Sequence, residues 1–579
     1  MLYLKIESRL KKTIKNLLPD ADLSLISLNP CKDTRFGDYQ TPGLITLAKQ
    51  RKINPRQLAL QVLDSLSLQD LFVQAEIAGP GFLNFKLLPK AIGKAVFEAC
   101  KEQYPFINQT ETPSTIVIDF GSPNVAKPMH VGHIRSTILG ACLVKLHRLL
   151  GNRVISDNHI GDWGTQFGKL ILGWKTALDK KALAEDPIKE LERLYKLINA
   201  ASEEKEVVLE SARQELVKLQ KGDPENLEIW KQMIQLSQSQ FNMIYDRLNV
   251  KFDYTLGESF YNNRLKGIVS ELVEKRIAEE SQGAYAVFFK EDPELKEHPA
   301  IIQKRDGAAN YATTDLATLE YRMKTWNPNQ IIYVTDGRQQ LHFKQVFSIF
   351  KRWKGSSPIK LTHVWFGTIL GENGKPFKTR SGEVIKLVDL LDEAEERALA
   401  VVQEKNPNLP LEIQKNIARV VGIGAIKYAD LLPNRQSDYM FNWNKMLAFN
   451  GNTAPYLLYA YTRIQSIFRK YEKEKSKAFD ISQISEEDIF YQETYEFALA
   501  KHLFSFGLVL QQAADDSRPN ILCNYVYELA GLFASFYEHC PVLKSEGSEQ
   551  ISRLALCHVT ARVLKIGLQT LGLETLEEM

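Results

Sequence analysis

Two histidines three residues apart, with a glycine between them, close the stretch Ser122-Pro123-Asn124-Val125-Ala126-Lys127-Pro128-Met129-His130-Val131-Gly132-His133. The apolar, β-branched run 115–120 before it reads as a buried strand, and Ile134–Val144 after it is long and apolar enough for a helix. A strand, a tight His/Gly turn and a helix N-terminus together make a phosphate site. The first helical turn offers unpaired N–H groups, Gly132 lets backbone approach a ligand, and His130 and His133 can donate to phosphoryl oxygens. Lys127 on the same loop adds a point charge. An HxGH met in isolation reads equally well as one packed histidine beside an exposed one; its place between strand and helix favours phosphate.

Three further constellations could carry chemistry. Gly371-Glu-Asn-Gly-Lys-Pro-Phe-Lys-Thr-Arg-Ser-Gly382 sets Lys375, Lys378 and Arg380 on a glycine-punctuated loop. Such runs are usually solvated, but this one follows the last clear strand of the chain's middle, which favours a phosphate-facing role. Tyr311-Ala-Thr-Thr-Asp315 puts a phenol and a carboxylate four residues apart, on one face of a helix. Taken alone it reads as a surface helix with an N-terminal acid. His159-Ile-Gly-Asp-Trp-Gly-Thr-Gln-Phe-Gly168 is a dense turn whose Gly161 and Asp162 could line a nucleotide cleft or merely shape the turn. No spacing suggests a protein-held metal, so Mg²⁺ is expected to arrive with a nucleotide.

The elements that must position these residues alternate. Runs 116–120, 153–156, 330–336 and 360–366 are strand-like and are separated by helical segments, as a parallel α/β sheet requires. No GxGxxG follows the first of them, which argues against a nicotinamide or flavin site. Residues 1–110 read as a separate α/β unit, with a turn at Gly37–Pro42 and a hairpin bent at Gly79-Pro80-Gly81. A charged, mostly helical insertion occupies about 180–300 within a central unit 111–400; a helical connector fills 401–450; only helices are expected in 451–579.

Bulk properties set the limits. The 579 residues suffice for about three to four domains, and composition is that of an ordinary soluble protein, 44% hydrophobic and 25% charged. The six cysteines form no CxxC, there is no secretory leader, and no apolar stretch is long enough to span a membrane. A cytoplasmic, monomeric protein is expected. Charge is uneven: residues 1–110 carry 15 Lys+Arg against 10 Asp+Glu, and residues 451–579 carry 12 against 17. That balance would draw a polyanion to the N-terminal end.

The histidine stretch resembles the HIGH signature of class I aminoacyl-tRNA synthetases, and its longer form Ser-Pro-Asn-x-Ala-Lys-x-x-His-x-Gly-His-x-Arg-Ser-Thr is similar to the arginyl enzymes in particular. The Pro80-Gly-Phe-Leu-Asn-Phe85 hairpin, the Gly161-Asp-Trp-Gly-Thr-Gln-Phe-Gly168 turn and Tyr311-x-Thr-x-Asp315 resemble elements of the same family. The loop at 377–381 stands where that class has KMSKS and departs from it, reading Phe-Lys-Thr-Arg-Ser. The resemblance implies a Rossmann-like catalytic domain with a helical insertion, an N-terminal α/β domain that touches tRNA, and a C-terminal all-α bundle that binds the anticodon. It implies ligation of L-arginine to tRNA(Arg) through an adenylate made from ATP, with activation requiring bound tRNA.

Residue by residue, the resemblance implies that His130, His133 and Lys127, with Lys378 and Arg380 of the degenerate loop, serve the phosphoryl chemistry, and that Gly132, Gly161 and Asp162 contact ATP. Tyr311 and Asp315 hold the substrate guanidinium, with Asp119 as a second acid, while Ser122, Asn124 and Gln339 serve its α-amino end. A planar, permanently charged head group needs such a carboxylate. Two other readings stay open: a different adenylyl-transferring enzyme, and a silent paralogue acting as an RNA-binding or regulatory protein. The large helical C-terminus argues against the first, and the intact histidines and basic loop against the second.

Overall fold

The structure is a computed structural model and describes residues 2–31, 33–355, 358–377 and 384–579. In the N-terminal unit, the helix Leu2–Leu17 buries Tyr3, Ile6, Leu10 and Ile14, a stripe at helical spacing. Beside it lies an antiparallel sheet of β1 (Asn29–Pro30), β2 (Tyr39–Thr41), β3 (Val73–Ala78) and β4 (Phe82–Leu87), in the order β1-β2-β4-β3. The β3–β4 hairpin turns through Gly79 and Gly81 at φ 53° and 135°, a region side chains with a Cβ rarely enter. Gly37–Pro42, expected as a turn, instead carries β2. Its pairing partner β4 is distant in sequence, so no local signal announces it.

The central sheet starts from β5 (Thr115–Asp119) and β6 (Arg153–Asp157). The chain then leaves through helices from Gln166–Ala177 to Leu265–Glu274 and a small antiparallel sheet of β7 (Glu279–Ser281), β8 (Ala284–Val287) and β9 (Ala300–Gln303). It returns as β10 (Gln330–Asp336) and β11 (Lys360–Phe366), giving a parallel sheet in the order β11-β10-β5-β6. β5 therefore has the next strand, β6, on one side and the later β10 on the other. Winding reverses there, and such a switch point opens a crevice at the carboxyl ends of the strands. The helix Val131–Leu149 packs so closely on β5 that a Cβ at Gly140 would stand 2.1 Å from Cγ of Phe120.

Beyond residue 400 helices dominate, from Leu411–Leu431 to Gly547–Thr570, the last ending before Gly572 at φ 85°. One short strand interrupts the expected all-helical run: β13 (Tyr439–Met440) pairs with β12 (Ile369–Leu370) and ties the connector to the edge of the central unit. Two residues carry no periodicity to read. The N-terminal unit docks on the final helix, where Arg562 donates to the carbonyls of Cys100 and Gln103, both at 3.0 Å. Apolar packing is continuous from Ile6 through Ile138 to Leu568.

Candidate active site

The histidine turn lies at the switch point. His130 caps the helix Val131–Leu149: its Nδ1 accepts the N–H of Gly132 at 3.1 Å, and its own N–H donates to Nδ1 of His133 at 3.1 Å. Both rings thus accept at Nδ1, which leaves the proton of each neutral imidazole on Nε2 as a free donor. The ring centroids are 3.9 Å apart. Burial, then its neighbour His130, pushes His133 down to about 3, and the backbone hydrogen bond opposes this only in part. Burial, then the charges of Arg338 and Lys127, holds His130 below the ordinary range. Two neutral donors in a field set by external cations suit a polyphosphate without adding buried charge.

The loop that carries the turn is held under strain. Gly121 sits at φ 88°, and two residues with side chains, Ser122 and Ala126, take φ 50° and 61°. Each such residue costs about 1–3 kcal/mol and persists only where neighbours over-determine it. Here the Ser122 N–H donates to Asn158 Oδ1 at 2.9 Å and the Ala126 N–H to Ser237 Oγ at 3.0 Å. Ser136, one turn into the helix, accepts from the Gly121 N–H at 2.9 Å and donates to the Val334 carbonyl at 2.6 Å, joining loop, helix and β10.

The turn 159–168 belongs to the same unit. Gly161 pairs with the loop in both directions, donating to the Pro123 carbonyl and accepting from Val125, both at 3.0 Å. A Cβ at Gly161 would stand 2.3 Å from Asn124 Oδ1, so this glycine makes room for Asn124. Asp162 is turned elsewhere: its buried carboxylate accepts from the N–H and hydroxyl of Ser259, at 2.8 and 2.6 Å. Its backbone is engaged as well, the N–H donating to the Ile160 carbonyl at 3.1 Å and the carbonyl accepting from Trp230 Nε1 at 2.9 Å. Lys127 lies 5.4 Å from the ring of Tyr195, in the inserted helices. Lys378 and Arg380 fall outside the described residues. The chain that resumes after them is bonded to the histidine turn, Val131 N–H to Ile385 carbonyl at 3.0 Å and Leu387 N–H to Met129 carbonyl at 2.9 Å.

The acidic residues singled out for a cationic head group sit on two elements of the same region. Asp315 and Tyr311 are on the helix Tyr311–Trp326, Tyr311 being 70% exposed at its first turn. Asp315 Oδ2 meets His342 Nε2 at 2.5 Å. Burial lowers His342, but the hydrogen bond and charge of Asp315 outweigh it, and the imidazole titrates above its usual range. Asp119 is 3% exposed at the end of β5; it accepts from Ser122 Oγ at 3.3 Å and from buried Arg322 at 2.6 Å. Asp119, expected as a second acid, is thus already bound to an internal guanidinium. Tyr333 on β10 pairs in register with Asp119, and the charges of Arg322, Asp119 and Asp315 all act on it. Gln339 is exposed just past β10.

Sequence reasoning passed over four residues here. Arg322 stands seven positions after Asp315, two helical turns on, so a shared face was readable from spacing. Arg338, held to Asp336 at 2.8 Å, supplies the cation nearest in effect to His130. His342 and Glu258 come near Asp315 only by folding. Burial raises Glu258 to about 7; His159 opposes and Asp162 and Asp315 add to the shift. Among the described residues no cluster of three or more His, Cys, Asp or Glu could hold a metal ion, and no helix is long and apolar enough to cross a membrane.

A parallel sheet with an HVGH-capped helix at its switch point, followed by a helical domain, is the architecture of a class I aminoacyl-tRNA synthetase. Family models agree: "tRNA synthetases class I (R), catalytic domain" matches residues 97–443, "DALR anticodon binding domain" 457–579, and "Arginyl tRNA synthetase N terminal domain" 4–87. The arginine–tRNA ligase of Fusobacterium nucleatum is 43% identical over 584 residues, covering 100% of both chains. That of Escherichia coli is 45% identical over 552 residues, covering 94% of each. Arginyl-tRNA synthetase from Plasmodium falciparum superposes with a TM-score of 0.81 at 28% identity, covering 100% of this chain and 99% of that one. The Thermus thermophilus enzyme shares the fold, with a TM-score of 0.81 at 24% identity and full coverage of both chains. The chain belongs to the arginyl-tRNA synthetase family.

Proposed function

We propose that the HVGH turn grips the triphosphate of ATP while the slot of Asp315, Tyr311 and Asp119 holds the arginine side chain, so that the arginine carboxylate meets the α-phosphorus in line. The chain is an arginine–tRNA ligase: ATP and L-arginine give arginyl-adenylate and pyrophosphate, and the arginyl group passes to the terminal ribose of tRNA(Arg). The observation that carries the division of roles is the shared Nδ1 bonding of His130 and His133, which frees both Nε2–H groups as donors. Donors fixed before the reaction stabilise charge building on phosphoryl oxygens at no reorganisation cost. Lys127 and Arg338 add positive potential at the turn, and Lys378 and Arg380 act from the loop. Gly132 faces the nucleotide, and Gly161 and Asp162, whose backbone groups are bonded within the protein, shape the wall of the ATP site. Mg²⁺ enters with ATP as part of that substrate.

At the other end of the slot, Asp315 meets the guanidinium, Tyr311 covers it, and Ser122, Asn124 and Gln339 orient the α-amino end. Positioning of two anions supplies most of such catalysis. The N-terminal unit and the helices after residue 457 hold the tRNA, as their family matches support. The test is pyrophosphate exchange with each amino acid, with and without tRNA, in the parent and in His130→Ala. Exchange should require arginine and vanish in the variant while tRNA binding stays nearly intact. Equal loss of both would refute the role given to His130.

A further inference from the structure

Under the proposed arginine slot the protein holds an arginine of its own. Arg322 is 0% exposed and projects from the helix that carries Asp315. Its Nη2 bonds Asp119 Oδ2 at 2.6 Å and Asp157 Oδ2 at 2.7 Å, and its Nε reaches Asp157 at 3.3 Å. The register explains this convergence. Asp157, Asp119 and Tyr333 are direct neighbours across β6, β5 and β10, one row along the carboxyl edge of the sheet. The Arg322 guanidinium lies 5.3 Å from the Tyr333 ring, closing that row.

Two carboxylates on adjacent strands cannot both stay ionised in a buried row without a cation. Arg322 supplies it, consuming the charge of one acid and leaving a floor of net −1. Its bond to Oδ2 also fixes how Asp119 turns, so that Oδ1 faces Ser122 and the strained loop. We propose that Arg322 is a positioning residue for substrate recognition, which by binding Asp157 and one oxygen of Asp119 presents the other oxygen of Asp119, with a single net negative charge, to the guanidinium of free arginine. This rests on the reading of the slot given above.

Removing Arg322 would return the row to two facing carboxyls with no cation between them, which must then share a proton to a higher pH than in the parent. Burial already pushes Asp157 upward, opposed by the Arg322 charge. The other groups facing the row are Tyr261 from the short helix Glu258–Tyr261, Tyr333 from β10, His159 from the loop after β6, and Asp315 beyond Tyr333. All of these remain in the parent protein, which serves as their control.

The experiment measures KM for arginine and for ATP in tRNA-supplemented exchange between pH 6 and 8, for Arg322→Gln, Arg322→Lys and Arg322→Gln/Asp157→Asn, with thermal midpoints. Arg322→Gln should raise KM for arginine about tenfold or more at neutral pH, with KM for ATP little moved. That KM should fall as pH rises and the shared proton leaves, while the parent stays flat. Adding Asp157→Asn should remove the extra pH dependence, since Asp119 then ionises alone. Equal rises in both KM values with no new pH dependence would overturn the proposal. If Arg322→Gln does not fold, Arg322→Lys decides: a folded lysine variant with unchanged arginine KM refutes it, and a selective rise supports it. Asp315→Asn, run in parallel, separates the two readings. An unchanged arginine KM there sinks the slot itself, whereas a raised one beside an unresponsive Arg322 series sinks only the role of Arg322.

Discussion

Gly132→Ala should cripple the chemistry while leaving the fold nearly as stable. A Cβ at position 132 would stand 2.8 Å from Cε1 and 2.9 Å from Nδ1 of His130. Carbon contacts settle at about 3.5–4.0 Å, so the ring must retreat by roughly 0.6–1.2 Å. It has little room, with the His133 ring centroid 3.9 Å away. A misplacement of about 1 Å at a reacting centre costs on the order of 10²-fold, or about 2.7 kcal/mol of transition-state stabilisation. Stability moves little, because two effects oppose each other. The Gly132 N–H loses its cap at Nδ1, a loss of about 1 kcal/mol, while alanine in place of glycine in a first helical turn returns up to about 1 kcal/mol. The assay is arginine-dependent ATP–pyrophosphate exchange beside a thermal melt. A variant that exchanges within about threefold of the parent would refute the claim that the position of the His130 ring governs the phosphoryl step.

Replacing Asp315 by Asn should raise KM for arginine by roughly 10–150-fold with kcat little changed, the cost of one charge-assisted bond at about 1.5–3 kcal/mol. The same change should let the His342 titration drop, as followed by NMR of its ring protons, because its elevation depends on Asp315. His133 should stay neutral from pH 6 to 8, so no ring titration of its own should appear in that range by NMR, while the His130 titration should lie below the ordinary imidazole range. The sign for stability follows from His133: an unfolded imidazole near 6.5 binds a proton that the folded one refuses until about 3. Its contribution is therefore complete above about pH 6.5 and is lost as pH falls toward 3, which urea melts across that window would register. Asp430→Ala should destabilise by about 3–5 kcal/mol, since it strands buried Arg135, whose Nε lies 2.9 Å from Asp430 and whose Nη1 also bonds the Gly367 carbonyl at 2.8 Å. A melt shifted by less than about 1 kcal/mol would show that this pair does not hold the histidine helix to the connector.

The histidine turn was readable because its signals are local. A β-branched run, a glycine and an apolar helix within some thirty consecutive residues specify strand, turn and cap from neighbours alone, and the side-chain cap bonds run between His130, Gly132 and His133. Tyr311 and Asp315 were readable for the same reason, sharing one helical face. Where the acids meet was not. Asp119, Asp157 and Tyr333 are separated by up to 214 residues of chain and become neighbours only through strand order and register, which the alternation of strands and helices that announced a parallel sheet does not specify. The internal guanidinium, the turn of Asp162 toward Ser259 and the approach of Arg338 to the histidines likewise arise from burial and from charges supplied by other elements. Periodicity and capping act over one or two turns of chain, so they name the chemical groups. Which carboxylate stays available depends on the strand that lands beside it, and that is settled by packing of the whole sheet.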